Sequence, residues 1–315
     1  MRVVFLGSPQ FAVPSLLALV KAGHTLAGVV TQPDKPGGRG GRLAATPVKE
    51  TALALGLPLL QPSKVNQPEA VAAIRAWQPD VLAVTAFGQI LREELLTLAP
   101  KGAVNVHGSL LPAYRGAAPI HWAVIRGERV TGITTMYMDK GMDTGNMIFK
   151  RELPILPQDD CGSLYEKLSL VGAELLVQTL EAMALGNAPS IPQDNTLATY
   201  APLLKKEHEV VDWQADASAV HNHIRGMSPW PGAYTVIGNK RLKLWQSKAW
   251  PEGRAEGRPG EIAALPGGEG VFVKCGSGLL ELLQVQPEAG KKMLAADWAR
   301  GYGVRPGAVL GENLP

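Results

Sequence analysis

Two hydrophobic periods alternate through the first half of the chain. RVVFL, LAGVVT, DVLAVTA and AVNVH are short apolar runs rich in β-branched residues, whereas PSLLALVKAG, PVKETALALG and PEAVAAIRAW repeat their apolar positions at helical spacing. Strands and helices in alternation predict an open α/β architecture with a mostly parallel sheet covered by helices on both faces. ITTMYMD and NMIFKRELPI follow as further short β-rich segments. SLYEKLSLVGAELLVQTLEAMALG then predicts a long amphipathic helix, with Ser163 as its cap, Glu166 completing an S-x-x-E box and Gly186 ending it.

From Asn187 to about Lys206 both periods dissolve into NAPSIPQDNTLATYAPLLKK, a Pro-rich stretch that reads as a linker. Domain boundaries are accordingly expected at 1–188, 189–206 (linker) and 207–315. The last of these carries one helix around ADASAVHNHIRG and the strand candidates YTVIG, RLKLWQSKAW, GEIAAL, GVFVKCG and LLELLQVQ, separated by Gly and Pro. Several short strands in so few residues predict a small β-barrel, closed or partly open.

Composition narrows the class. A chain of 315 residues with 46% hydrophobic and 19% charged residues can bury two cores and is not a disordered chain. Cys161 and Cys275 form no CxxC, which leaves neither a disulfide framework nor a metal knuckle and points to a reducing compartment. MRVVFLGSPQF breaks at Gly7 without a cleavage site, and no apolar run reaches the roughly 18 residues of a membrane span. A soluble cytoplasmic protein is the expectation, and nothing demands more than a monomer. The net charge of +3 is too small to identify a nucleic-acid partner. Its distribution is more informative: QPDKPGGRGGRLAATPVK gathers Lys35, Arg39, Arg42 and Lys49, and NKRLKLWQSK gathers Lys240, Arg241, Lys243 and Lys248.

Ligands of an open parallel sheet bind beyond the carboxyl ends of its strands. GSPQFA supplies only the first Gly of a dinucleotide fingerprint, and Pro9 removes a donor that a pyrophosphate would need, which argues against NAD or FAD. Asn105 and His107 stand two apart at the end of AVNVH, so both project from one strand face. Asp139 and Asp143 lie in the Gly-interrupted loop MDKGMDTGNM, where a carboxylate can fix an imidazole tautomer. Each of these residues also has a plain structural reading, as a turn cap, a satisfied histidine or an Asx turn. His107, His121 and an Asp match no zinc spacing, and Ser109 lacks a G-x-S-x-G elbow. An Asn, His and Asp without a nucleophile of their own favour direct transfer between two bound substrates.

These residues carry a resemblance. NVHGSLLPAYRGAAPI followed by MDKGMDTGNM, with H-x-S-L-L-P-x-x-x-G spanning His107 to Gly116, closely resembles the formyltransferase family that uses 10-formyltetrahydrofolate. The likeness runs nearly end to end, through GSPQFAVPSL, VVTQPDKPGGRGGR, FGQIL, YAPLLKKE, IRGMSPWPGAYT and QPEAGKKM to RPGAVLG. It implies a Rossmann-like catalytic domain, an OB-like barrel, a folate formyl donor, and no metal or NAD. Asn105, His107 and Asp143 match the family's catalytic trio, with Asn105 and His107 stabilising an oxyanion and Asp143 orienting His107. The folate is implied beside Phe87, Gly88, Gln89, Ile90 and Leu91, the turn Ser109, Leu110, Leu111 and Pro112, and Asp139.

The acceptor is implied by the basic loop and the second domain, which resemble members acting on the α-amine of methionine esterified to initiator tRNA. Arg39, Arg42, Arg115, Lys206, Lys240, Arg241, Lys243, Lys291 and Lys292 are the candidate tRNA contacts. Two departures stand out: Gly41 replaces a basic residue often seen in that loop, and His208 and Glu209 occupy a segment that is usually an acidic-glycine turn. Formyl transfer to glycinamide ribonucleotide or an amino sugar nucleotide would use the same trio but leave the basic segments idle. A nucleic-acid-binding module without catalysis would leave the crevice unexplained.

Overall fold

The structure, a computed structural model, describes residues 1–37, 42–263 and 270–312, with the backbone alone of Gly37 and Arg42. The chain divides into two compact units. The first comprises Met1–Pro119, Val130–Pro154 and Tyr165–Ala201; the second comprises Ile120–Arg129, Ile155–Leu164 and Pro202–Pro315. The Pro-rich stretch up to Ala201 thus packs with the first unit.

In the first unit the apolar runs become β1 (Arg2–Gly7), β2 (Thr25–Val30), β3 (Lys35–Gly37), β4 (Arg42–Ala44), β5 (Leu59–Leu60), β6 (Val81–Thr85), β7 (Ala103–His107), β8 (Val130–Tyr137) and β9 (Met147–Pro154). Seven of them form one sheet in the order β5-β2-β1-β6-β7-β8-β9. The first five are mutually parallel, while β8 and β9 add on antiparallel. Val3, Val4, Phe5 and Leu6 are all fully buried, as expected where helices cover both faces. Each such side chain contributes about 1.5–3 kcal/mol by leaving water. The short strands β3 and β4 pair with each other, antiparallel and apart from the main sheet.

Helices α1 (Val13–Lys21), α2 (Pro47–Ala54), α3 (Pro68–Ala76), α4 (Glu93–Leu96), α5 (Pro119–Ile125) and α6 (Cys161–Ala184) connect and follow these strands. Pro occupies the first turn of α1, α2 and α3, where its missing N–H costs no helical bond. One expectation is corrected here. The cap of α6 is Asp160, whose Oδ1 accepts from Ser163 N at 2.8 Å, while the Ser163 hydroxyl donates to Asp159. The helix starts two residues before Ser163, and a carboxylate complements the helix dipole better than a hydroxyl. Gly186 follows the helix at φ +72.

The second unit contains α7 (Ala217–Gly226), β10 (Tyr234–Ile237), β11 (Lys240–Trp250), β12 (Val271–Lys274), β13 (Leu279–Pro287), β14 (Met293–Leu294) and α8 (Ala295–Tyr302). An antiparallel sheet runs β10-β11-β13-β12, with β14 on β13. Single bridges Ile262↔Val273, Glu261↔Val309 and Ile237↔Leu310 carry the pairing back to β10, which gives the OB-like barrel its closure. GEIAAL therefore contributes bridges rather than a full strand, and its last two residues lie outside the described residues. Val220 and Ile224 of α7, Leu244, Val273 and Trp298 fill the core.

Candidate active site

Sheet order reverses at β1, whose neighbours are β2 on one side and β6 on the other, so the crevice of the sheet lies at the carboxyl ends of β1 and β6. Polar side chains tie these ends together. Ser8 Oγ donates to the Phe87 carbonyl (3.2 Å) and accepts from Gln32 N (3.1 Å), and Gln32 Nε2 donates to the same carbonyl at 3.2 Å. Phe87 and Leu91 are buried, and Gly88 takes φ +82. The Gln89 amide is committed to Val65 N (2.8 Å) and Pro62 O (3.2 Å), which leaves Ile90, 79% exposed, as the side chain open to solvent.

On β7, Asn105 is half-buried and His107 buried. Among the described residues the Asn105 carboxamide makes no hydrogen bond, so neither of its donors is committed to the fold. His107 Nε2 lies 2.9 Å from the Tyr114 carbonyl. A carbonyl only accepts, so Nε2 carries a hydrogen and the Nδ1 edge remains for chemistry. That edge faces Asp143 Oδ1 at 3.7 Å, beyond a hydrogen bond but within ion-pair reach of a protonated ring. The second oxygen of Asp143 accepts from Gly116 N at 2.8 Å. Asp143 and Tyr114 both hold positive φ, +55 and +61, a conformation that costs a side-chain-bearing residue about 1–2 kcal/mol. Such strain persists only where the surroundings enforce it.

The turn after β7 is held from beneath. Thr134 Oγ1 donates to Ser109 O (2.7 Å) and accepts from Leu111 N (3.0 Å), and Lys150 Nζ donates to Leu111 O. Burial holds the Lys150 ammonium below its ordinary pKa. Leu111 packs on Met136 and Met147, with Leu110 and Pro112 partly exposed beside it. The Ser109 hydroxyl donates to Ala113 O at 2.6 Å, so its hydrogen serves the turn and does not face His107. Asp139 is exposed and closes its own loop, accepting from Gly141 N (3.0 Å) and Thr144 Oγ1 (2.7 Å). Arg115 is only 2% exposed, its guanidinium on Gln193 and Asn195. Thr134, Lys150 and Gln193 carry no motif or period that marks them in the sequence. Only tertiary contacts bring them to the crevice.

The family description "Formyl transferase" matches residues 1–180, and "Formyl transferase, C-terminal domain" matches residues 203–303. The chain belongs to the formyl transferase family. Methionyl-tRNA formyltransferase of Moorella thermoacetica is 50% identical over 311 residues, 99% of each chain, and that of Desulforamulus reducens is 46% identical over 99% of this chain and 98% of its own. Among solved structures, the fold is similar to a methionyl-tRNA formyltransferase from Clostridium thermocellum (TM-score 0.55, 15% identity, 79% of this chain and 93% of that one). It is also similar to HypX from Aquifex aeolicus in complex with tetrahydrofolic acid (TM-score 0.62, 20% identity), where it covers 95% of this chain but spans only 47% of HypX.

Outside the crevice, this formyl transferase places its basic residues at the surface of the second unit. Leu242 and Leu244 of β11 are buried, so the alternate residues Arg241 and Lys243 face away from the core. The Arg241 guanidinium lies 4.1 Å over the Tyr234 ring, and the Lys292 and Lys243 ammonium groups lie 3.8 and 5.3 Å from the Trp245 ring. Lys240 and Lys291 are exposed beside them, and Lys206 shares a cavity of about 430 Å³ with Glu207, Glu209 and Arg241. In the first unit Lys49 pairs with Asp34 at 2.6 Å; that contact and the Gln61 amide hold the Asp34 carboxyl below its ordinary pKa. Arg39 and Gly41 lie outside the described residues, as does the Arg42 side chain.

Proposed function

We propose that this chain transfers the formyl group of 10-formyltetrahydrofolate to the α-amine of methionyl initiator tRNA, in the cytoplasm. The observation that carries the acceptor is the 50% identity over 99% of both chains to a methionyl-tRNA formyltransferase. The chemistry is read onto Asn105 and His107, two apart on β7, and onto Asp143, whose carboxylate lies 3.7 Å from His107; that distance supports the reading. In this reading residues 1–188 form the catalytic domain, 207–315 the tRNA-binding barrel, and 189–206 join them.

The donor supplies an acyl carbon bonded to N10, which needs help where negative charge gathers on its oxygen. Asn105 fits that need, because its amide hydrogens are not committed elsewhere and can meet the oxyanion as it forms. His107 is locked at Nε2 by the Tyr114 carbonyl, so its Nδ1 edge and Asp143 face the reacting amine. As the amine nitrogen bonds to carbon and the carbon–N10 bond breaks, the amine loses a proton and N10 gains one. The His107–Asp143 pair can hold that proton between the two events. Residues 87–91, the turn 109–112 and Asp139 hold the folate, with backbone groups around Gly88 beside the exposed Ile90. Arg39, Arg42, Lys206, Lys240, Arg241, Lys243, Lys291 and Lys292 follow tRNA phosphates by charge and shape.

The test incubates the protein with labelled formyl donor and, in separate reactions, methionyl initiator tRNA, methionyl elongator tRNA, glycinamide ribonucleotide and amino sugar nucleotides. Label is expected on initiator tRNA. Absence of transfer to it, or preferred transfer to a nucleotide, overturns the proposal.

A further inference from the structure

The Pro-rich stretch that lacks any periodicity does something specific in the first unit. Gln193 Nε2 donates to two backbone carbonyls of the Asp143 loop, Asp143 O at 2.7 Å and Gly145 O at 2.8 Å. Its Oε1 accepts twice from Arg115, from Nε at 3.0 Å and from a terminal nitrogen at 2.7 Å, and that same nitrogen reaches Asn195 Oδ1 at 2.8 Å. A guanidinium only donates, so it fixes which end of the Gln193 amide is oxygen and turns both amide hydrogens toward the loop. The backbone runs the same way: Arg115 N donates to Thr199 O (2.8 Å), Ala201 N to Arg115 O (2.8 Å), and Tyr114 N to Thr199 Oγ1 (2.9 Å). Residues 193–201 therefore grip both the 114–116 turn, which contacts His107 and Asp143, and the 143–145 turn, which supplies Asp143.

We infer that Gln193, oriented by Arg115, is a positioning residue that holds Asp143 in its left-handed conformation and so keeps its carboxylate on His107 and Gly116. The inference rests on the proposed roles of His107 and Asp143. Neither residue touches the reacting atoms; both act through the Asp143 backbone, and the buried Arg115 serves the loop rather than the tRNA.

Gln193→Glu separates this role from mere packing, because a carboxylate still accepts from Arg115 but has no hydrogen for the two carbonyls. The variant is expected to fold, with a modestly lowered unfolding temperature, and to keep its KM for tRNA and folate, while kcat falls about 10- to 100-fold, the scale of a small misplacement of a catalytic group. In an Asp143→Ala background the same substitution is expected to lower kcat less than about twofold, since residues acting as one unit do not add. Arg115→Lys keeps the charge without the fork; it is expected to lower kcat in the same direction and likewise to lose its effect in the Asp143→Ala background. Wild-type kcat in Gln193→Glu, or a full multiplicative loss on top of Asp143→Ala, overturns the inference. If Gln193→Glu fails to fold, the Arg115→Lys pair decides by the same criteria. Inactive Asn105→Ala and His107→Ala proteins beside a fully active Gln193→Glu would remove the positioning role alone; full activity in the first two would remove the site reading itself.

Discussion

His107 is 6% exposed, with a carbonyl 2.9 Å from one nitrogen and a carboxylate 3.7 Å from the other, whereas in the second unit the exposed Lys292 ammonium rests over the Trp245 ring and the half-buried Lys243 ammonium, near the same ring, also donates to the Pro231 carbonyl. The first unit organises the polar groups around β7 through short, directed hydrogen bonds, and among the described residues the Asn105 amide makes none. The second spreads cations over aromatic rings, where each contact is worth about 0.5–1 kcal/mol and is weakened by salt. A site for bond-making needs atoms held to fractions of an ångström, while a surface for a polyanion needs only the right sign of charge over a large area.

The sharpest break of this comparison is expected at Asn105. Asn105→Ala should lower kcat/KM for formyl transfer about 100-fold or more, the usual cost of losing an oxyanion donor. Thermal unfolding should not change, because the amide has no partner to lose; a parallel loss of stability would make Asn105 a structural residue. Gly116→Ala comes next. Gly116 holds φ +119, and an added Cβ would lie 2.7 Å from Ala201 O, so the turn that donates to Asp143 must shift. A stability loss of about 1–3 kcal/mol in denaturant unfolding is expected, together with reduced turnover.

Smaller effects are expected in the second unit. Lys243→Ala and Lys292→Ala should each weaken tRNA binding a few-fold and reduce the salt slope by about 1, with the KM for folate unchanged. A loss as steep as that of Asn105→Ala, or one insensitive to salt, would break the contrast between the two regions. The smallest effect is on stability with pH. Burial holds His121, His221 and His223 of the second unit below their ordinary pKa, against His24 alone in the first. These imidazoles stay neutral when folded and take up protons when unfolded, so their contribution is present above about pH 6.5 and is lost as pH falls below it. Six of the seven tryptophans lie in the second unit, so unfolding followed by intrinsic fluorescence at falling pH reports on it directly.

Much of this was legible from the order of residues. β1 and β6 are each a nearly continuous apolar run because helices cover both faces of the sheet, and such runs stand out without any partner in view. Asn105 and His107 share a face because a strand repeats every two residues. The short strands β3, β4 and β5 carry too few residues to show a period, and the cap of α6 moved from Ser163 to Asp160 because two polar residues near a helix start compete on geometry.

The sequence by itself determined the two kinds of unit, the shared strand face of Asn105 and His107 and the family, since each depends on local period or on a contiguous motif. Tertiary structure alone decided the rest. Gln193 stands 50 residues from Asp143 and 78 from Arg115 along the chain, yet touches both. Nothing in NAPSIPQDNTLATYAPLL marks that residue, because a hydrogen bond between distant segments leaves no periodic trace in either of them.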